Sequence, residues 1–359
     1  MKHRIMRSIA AVLALVLSIS ILGACQNMNT GTSDEKVAAV FEGDKISLTE
    51  LELYAYMEQF EAEYQSGDYI TAYYGDAVTY WTTDMSGVTM EEYAKKYAVA
   101  RMLQTKVLNK YAASEGITLD AEEQARADKV LENFKDKYAP VVAVSGASDE
   151  LIAQFVKENA IANKVYKEVI ANIDTTMDDA AMLRKRGSGI SLYASVYKSR
   201  ESEDEDLEKY TNEERTENLN RVYDLVAKDI EDGLSYEEIV EKYADEENVS
   251  VSNLNEYSVK PDDAVPEGEE ISDYKQLLWT LGEGESDTLK LSYNAYFITC
   301  VNADDPEYRA TAEETEISNR KAAIFAEKME ELSKKYDRFH LYEDVYEEAR
   351  FKDALYTAE

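Results

Sequence analysis

Helix starts are written repeatedly into this chain, and they restrict its fold more than any other feature. A Ser, Thr or Asp stands three residues ahead of a Glu at Ser47–Glu50, Thr89–Glu92, Asp120–Glu123, Ser235–Glu238 and Thr311–Glu314. At that spacing the first side chain accepts from the third helical amide and the Glu reaches back to the cap amide, which satisfies donors that a helix end otherwise leaves unpaired. Behind Ser47, Leu51, Tyr54 and Met57 recur at helical spacing. Thr89 opens a long helix through Tyr111 that Gly116 ends, and Asp120 opens another. After a break near Pro140 and Gly146, a further helix is predicted from Asp149 to Ile170. One short apolar strand with a Gly43 turn, beginning at Val37, precedes them. Residues 37–185 therefore read as a helical domain with a small strand element.

The next stretch has a different texture. "RKRGSGISLYASVYKS" is basic and punctuated by glycine, and alternation from Ile190 to Tyr197 predicts a strand. Six acids in the eight residues from Glu201 to Glu208 read as a solvated loop without the spacing of a calcium loop. A helix from about Glu217 to Glu231 stops at Gly233, and Ser235 caps a second one. The strand-like "NVSVSNLNEYSV", a loop with a short helix, and the strand pair "DTLKLSYNAYFITCV" follow. Residues 308–359 return to helix, with Ile317, Ile324 and Leu332 forming an apolar stripe that continues towards Phe339. Such a stripe requires burial against another element.

The N-terminus sets the compartment. Lys2, Arg4 and Arg7 precede an apolar run from Ile9 to Leu22, shorter than the roughly 20 residues of a membrane span, and small residues follow it. Residues 1–24 read as a secretory signal, and Leu22-Gly23-Ala24-Cys25 resembles the bacterial lipobox. That resemblance implies a lipidated Cys25, a polar tether over 25–36, and attachment to the outer face of the bacterial cytoplasmic membrane. Simple secretion with cleavage near Ala24 is the alternative.

Loss of Lys2, Arg4 and Arg7 with the leader takes the formal charge from -34 to -37, which argues against nucleic acid as a partner. With Cys25 lipidated, Cys300 has no disulfide partner, and after loss of His3 only His340 remains. Zinc sites built on paired histidines are excluded, and neither a metal nor another cofactor is expected. A cysteine enzyme pairing Cys300 with His340 is conceivable, but a cysteine inside an apolar strand is usually inert.

The segments "LVAKDIEDGLSYEEIVEKYADEENVS", "SNLNEYS", "AVPEGEE", "LLWTLGEGES" and "NAYFITCV" resemble, in this order, the parvulin peptidyl-prolyl isomerase domain. Gly233, Ser235, Tyr236, Tyr243, Asp245 and the turn Leu281 to Glu285 match that family's pattern. Together with the helices before it and the lipobox, nearly the whole mature chain resembles the PrsA and SurA group of extracytoplasmic foldases. The resemblance implies an α+β fold: a SurA-N-like helical chaperone domain over 37–185, a parvulin-like α/β module with a small, mostly antiparallel sheet over 186–307, and C-terminal helices over 308–359 that pack on the chaperone domain. It also implies unfolded or newly secreted polypeptides as partners.

The departures from the family bear on activity. The two positions where active parvulins carry histidine align with Ala194 and Phe297, and the pocket Met and Phe align with Ala264 and Gly268. Prolyl isomerisation crosses a barrier of about 20 kcal/mol without a covalent step, so a desolvating site can lower it without histidine. Asp245 or Glu246 would then serve as the acidic group, with Trp279 and Phe297 as apolar walls; all four also read as fold residues, since aromatic residues on alternating strands are usually packing. The aromatic stretch 69–82, with Tyr73, Tyr74, Tyr80 and Trp81, reads either as helix packing or as a peptide-gripping surface. The expected function is a membrane-anchored folding chaperone whose parvulin-like module has reduced or lost activity. An active isomerase and the solute-binding lipoprotein of a transporter are the alternatives, and the long capped helices argue against the latter.

Overall fold

The computed structural model describes residues 36–198, 208–266 and 268–356. The leader, Cys25, the tether up to residue 35 and the acidic run through residue 207 lie outside them. The fold is α+β, and the chain divides into two compact units, one running to Ile173 and resuming at Asn319, the other Asp174–Ser318.

The first unit opens with a hairpin of β1 (Val37–Phe41) and β2 (Asp44–Ser47). Its two turn residues, Glu42 and Gly43, have φ of 51° and 89°, the left-handed pair that a two-residue hairpin turn requires. Helices α1 (Leu48–Tyr74), α2 (Ala77–Thr82), α3 (Met90–Glu115), α4 (Ala121–Lys137), α5 (Ala139–Ser145) and α6 (Asp149–Ile170) follow. Thr89 and Asp120 form complete capping boxes with Glu92 and Glu123. Ser47 accepts from the Glu50 amide at 3.1 Å, while the Glu50 carboxylate reaches Lys106 at 2.5 Å. The break at Pro140 and Gly146 contains a short helix of its own, α5, because proline is tolerated in a first helical turn. Leu51, Leu53, Tyr54, Met102, Ile152 and Val165 fill the core.

In the second unit a short helix α7 (Asp179–Met182) leads to β3 (Lys185–Ala194), α8 (Asn212–Glu231), α9 (Tyr236–Lys242), β4 (Val249–Val259), α10 (Tyr274–Thr280), β5 (Ser286–Lys290) and β6 (Asn294–Asn302). The four strands pair antiparallel in the order β4-β3-β6-β5. Strand β3 corrects the expectation of 190–197. It takes in the basic, glycine-punctuated segment and ends at Ala194, where the Ser195 amide turns to the Asn248 carbonyl at 2.9 Å. The glycines are there for close approach: a Cβ on Gly187 would lie 2.5 Å from Leu278 Cδ2, and one on Gly189 2.2 Å from the Phe297 carbonyl oxygen. Helix α8 also starts earlier than read, at a Thr211–Glu214 capping box. One face of the sheet packs on Leu219, Val222, Val226 and Ile239, the other on Leu277 and Leu278.

Helix α11 (Pro306–Lys335) overturns the Thr311 start. Asp305 is the cap: its Oδ1 accepts from the Glu307 and Tyr308 amides at 3.0 and 3.1 Å, and Pro306 occupies the first helical position. Thr311 lies within the helix, where its hydroxyl donates to the Glu307 carbonyl. The buried stripe is Phe325 and Leu332, whereas Ile324 is exposed. Phe339 belongs not to that helix but to β7 (Phe339–Leu341), which pairs antiparallel with β1 and completes a sheet of order β2-β1-β7. Arg338 donates to the Glu42 carboxylate from its amide at 3.0 Å and from Nε at 2.9 Å, holding the non-glycine residue of the hairpin turn. Beyond α12 (Glu343–Tyr346) the chain is irregular, and two helix carboxylates hold it. Glu63, 1% exposed, accepts from the Leu355 and Tyr356 amides at 2.6 and 2.8 Å, and from Trp81 Nε1 and Gln59 Nε2 at 2.8 Å each. Glu91 accepts from the Phe351 amide at 3.2 Å.

Glu63→Gln keeps one acceptor oxygen but sets an NH2 group against buried donors, so it should lower the stability of the first unit by about 2–3 kcal/mol. The chain has two tryptophans, Trp81 and Trp279, one in each unit. Urea unfolding followed by fluorescence in a Trp279→Phe background reads the Trp81 unit alone, and an unchanged midpoint there would refute the clamp.

Candidate functional site

The two positions aligned with the family histidines lie on one face of the second unit's sheet, and both are filled. Ala194 is fully buried, and its carbonyl accepts from Arg215 at 3.0 Å. Phe297 is 4% exposed, and Tyr223 from α8 stacks on it with ring centroids 5.0 Å apart and planes 27° apart. Lys290 Nζ lies 4.1 Å from the Tyr223 centroid on that ring, and the Tyr223 hydroxyl is 3.1 Å from Thr288 Oγ1. A cation, a tyrosine and a phenylalanine thus lie in series at the second of these positions.

The proposed walls do not meet. Phe297 belongs to the apolar cluster under α8 and α9, whereas Trp279 packs with Leu278, Ile298 and Cys300 in the cluster under α10. Successive strand residues point to opposite faces, so Phe297 and its neighbour Ile298 serve different clusters. Trp279 is tied further by Lys185, whose Nζ donates to the Trp279 carbonyl at 2.6 Å.

The two candidate acids also have different situations. Asp245 is exposed on the turn after α9. Glu246 is held by Arg221, which donates from Nη2 at 2.7 Å and Nη1 at 3.2 Å; the pair keeps the carboxyl below its usual range and therefore ionised. A third carboxylate, Asp229, joins α8 to α9: both its oxygens accept from Lys242 at 2.7 Å and one from the Tyr243 hydroxyl at 2.8 Å. The Lys242 and Tyr243 hydrogen bonds lower its pKa, and burial together with Asp229 pushes the Tyr243 hydroxyl up to about 12. Cys300 is fully buried, and burial raises its thiol pKa; it sits in the second unit and His340 in the first, on β7.

The aromatic stretch 69–82 divides between core and surface. Tyr73 is 74% exposed and lies 4.6 Å from Tyr69, itself half exposed, while Tyr74 and Tyr80 are half-buried with centroids 5.1 Å apart. Trp81 is buried against Phe351 and donates to Glu63. Of the four side chains proposed to grip peptide, Tyr73 alone is fully presented to solvent and Trp81 is a core residue.

A second feature of the first unit was not anticipated. Helices α1, α3, α4 and α6 leave a cavity of about 450 Å³ between them. Met57, Ala127, Phe134, Phe155 and Val156, all buried, form its apolar floor, and Val130, 55% exposed, lies at its mouth. Arg101, Arg126, Lys164 and Lys167 also line it, with Glu123 as the lining acid. Arg101 is paired with Glu58 at 2.5 Å; burial pushes the Glu58 carboxyl up despite that pairing. The Val130–Phe134 spacing was visible in the sequence, but nothing there distinguishes an apolar residue that closes a core from one that lines an opening.

The fold and the site together define a protein whose helical unit is built from two stretches of sequence, before and after an antiparallel module in chain order, with an apolar opening in the helical unit. No family model matches the chain, and no curated protein matches it. Among solved structures it is similar to a PrsA peptidylprolyl isomerase from Bacillus cereus, at 13% identity over 89% of this chain and 100% of that one, with a TM-score of 0.31. It is similar too to a SurA-like chaperone structure from Campylobacter jejuni, at 12% identity over 85% and 98% with a TM-score of 0.28, and to the foldase PrsA of Lactococcus lactis, at 10% over 88% and 99% with a TM-score of 0.26. No helix among the described residues is long and apolar enough to cross a membrane.

The Asp229 clip has a definite pH signature. A carboxyl whose pKa is lower folded than unfolded contributes stability above its unfolded value, and loses it as pH falls through the folded one. The second unit should therefore lose stability from about pH 4 downwards. Asp229→Asn should be less stable at neutral pH and show a shallower acid dependence, measured by urea unfolding on Trp279 fluorescence. Parallel curves for the two proteins would refute the role of the clip.

Proposed function

We propose that this protein is a lipid-anchored extracytoplasmic folding chaperone, which holds apolar segments of unfolded or newly secreted polypeptides in the opening of its helical unit. The parvulin-like module has reduced or lost isomerase activity. The ordered motifs that resemble the PrsA and SurA group support the class. The observation that carries the division of labour is the contrast between the two units: Tyr223 stacks on Phe297 at the expected isomerase position and Lys290 lies over the Tyr223 ring, while the opening between α1, α3, α4 and α6 keeps an apolar floor beside exposed Val130. A buried floor at the mouth of an opening offers an unfolded segment a place to desolvate a large side chain.

The full-length protein should suppress aggregation of a reduced, unfolded client while leaving the cis–trans exchange rate of a proline peptide, followed by NMR, at its uncatalysed value. Acceleration abolished by Asp245→Ala would instead establish an active isomerase. Val130→Trp, which places a bulky side chain at the mouth, should raise the amount of chaperone needed by about fivefold, corresponding to roughly 1 kcal/mol of lost burial.

Anchoring through Cys25 rests on the Leu22-Gly23-Ala24-Cys25 run and the basic, apolar leader before it. Cells fed labelled palmitate should incorporate label into the wild-type protein and not into Cys25→Ser, which should also leave the membrane fraction. Label retained by Cys25→Ser would refute the anchor.

A further inference from the structure

Chains as acidic as this one, with 73 Asp and Glu against 39 Lys and Arg, are expected to attract basic polypeptides. The opening in the helical unit has the opposite balance. Arg101, Arg126, Lys164 and Lys167 line it and Glu123 is the acid among them. These cations differ in how firmly they are held. Arg101 is committed to Glu58, a largely buried partner, and Lys164 donates to Glu123 at 2.7 Å. Among the described residues Arg126 pairs only along its own helix with Glu122, and both side chains are more than half exposed, so the pair exchanges easily with another carboxylate. Lys167 is exposed in the last turn of α6 with no carboxylate within ion-pair distance among the described residues.

Resting on the reading that this opening holds client segments, we propose that it selects extended peptide segments in which a large apolar side chain is followed or preceded by Asp or Glu. The apolar side chain enters beside Val130 and reaches the floor formed by Met57, Phe134 and Phe155. The neighbouring carboxylate meets Arg126 and Lys167 at the rim. The volume, about 450 Å³, accommodates a pair of large side chains rather than a folded element, so the occupant is an unfolded segment. The rest of the acidic surface repels such a segment weakly and over a distance that salt shortens, whereas the rim acts at contact. Selection therefore arises at the opening and runs against the charge of the whole molecule.

The test uses fluorescein-labelled short peptides with a central Leu-Phe-Leu flanked by Asp, by Ser or by Lys, titrated with the full-length protein at physiological salt. The Asp-flanked peptide should bind about fivefold more tightly than the Ser-flanked one, the Lys-flanked one more weakly still, and the order should invert in Arg126→Glu/Lys167→Glu. Arg126→Gln/Lys167→Gln should abolish the preference without inverting it, and thermal unfolding checks that each variant is folded. Peptides that bind with equal or reversed preference, yet are displaced by Val130→Trp, would overturn the charge selection and leave the holding role intact. Binding that ignores Val130→Trp altogether would overturn both.

Discussion

The helical unit depends on carboxylates that are buried in order to hold backbone. Glu63 is a helix residue with almost no exposure, and its Oε2 takes two successive amides from a C-terminal segment that has no regular structure of its own. Irregular buried backbone has donors that neither a helix nor a sheet satisfies, and leaving them unpaired is costly. A charged acceptor already fixed by Trp81 and Gln59 meets that requirement. Glu91 does the same for Phe351, and β7 adds ladder hydrogen bonds to β1. As a result Phe351 and Leu355 complete a core most of whose other members come from β1, β2 and the helices before Ile173.

This closure explains how a helical unit can be interrupted by another folded module. The two parts of the first unit are separated in sequence by the whole of Asp174–Ser318, and their contacts are of the longest range the chain offers. Non-local contacts of this kind are made at the cost of loop entropy, which grows slowly with loop length, so a long insertion is tolerated where a strong local seam awaits the returning chain. The seam here consists of β1 with β7, Arg338 on Glu42, and the Glu63 and Glu91 clamps. The unit that results keeps an opening between α1, α3, α4 and α6, while the inserted module closes over its own central strands.

The inserted module shows how few local rules its scaffold needs. Its strands, the two helices and the capped turn at Ser235 need only apolar alternation, glycine at points of close approach and helix caps, and all are present. Ala194 and Phe297 both meet the first of those demands, as buried members of the core under α8 and α9. Phe297 extends the apolar alternation of β6, Tyr223 stacks on it, and Lys290 lies over the Tyr223 ring. The packing leaves Phe297 only 4% exposed.

Local rules carried the helix caps at Thr89, Asp120 and Ser235, the helix Asp149–Ile170 and the strands of the module, because each is decided by residues within one turn or one alternation of each other. The same rules misplaced the start of α11, where Asp305-Pro306 outcompeted Thr311, and the length of β3, where glycines that look like a loop serve close packing. The candidate site was less legible. Its departures from the parvulin pattern at Ala194 and Phe297 could be read directly, but that Trp279 and Phe297 serve opposite faces follows from which strands pair. Glu63 looked like any other acid on a helix, and Val130 like any other apolar one. Only the tertiary structure decides that one is buried against a returning chain and the other stands at an opening, because burial is set by what arrives from elsewhere in the sequence.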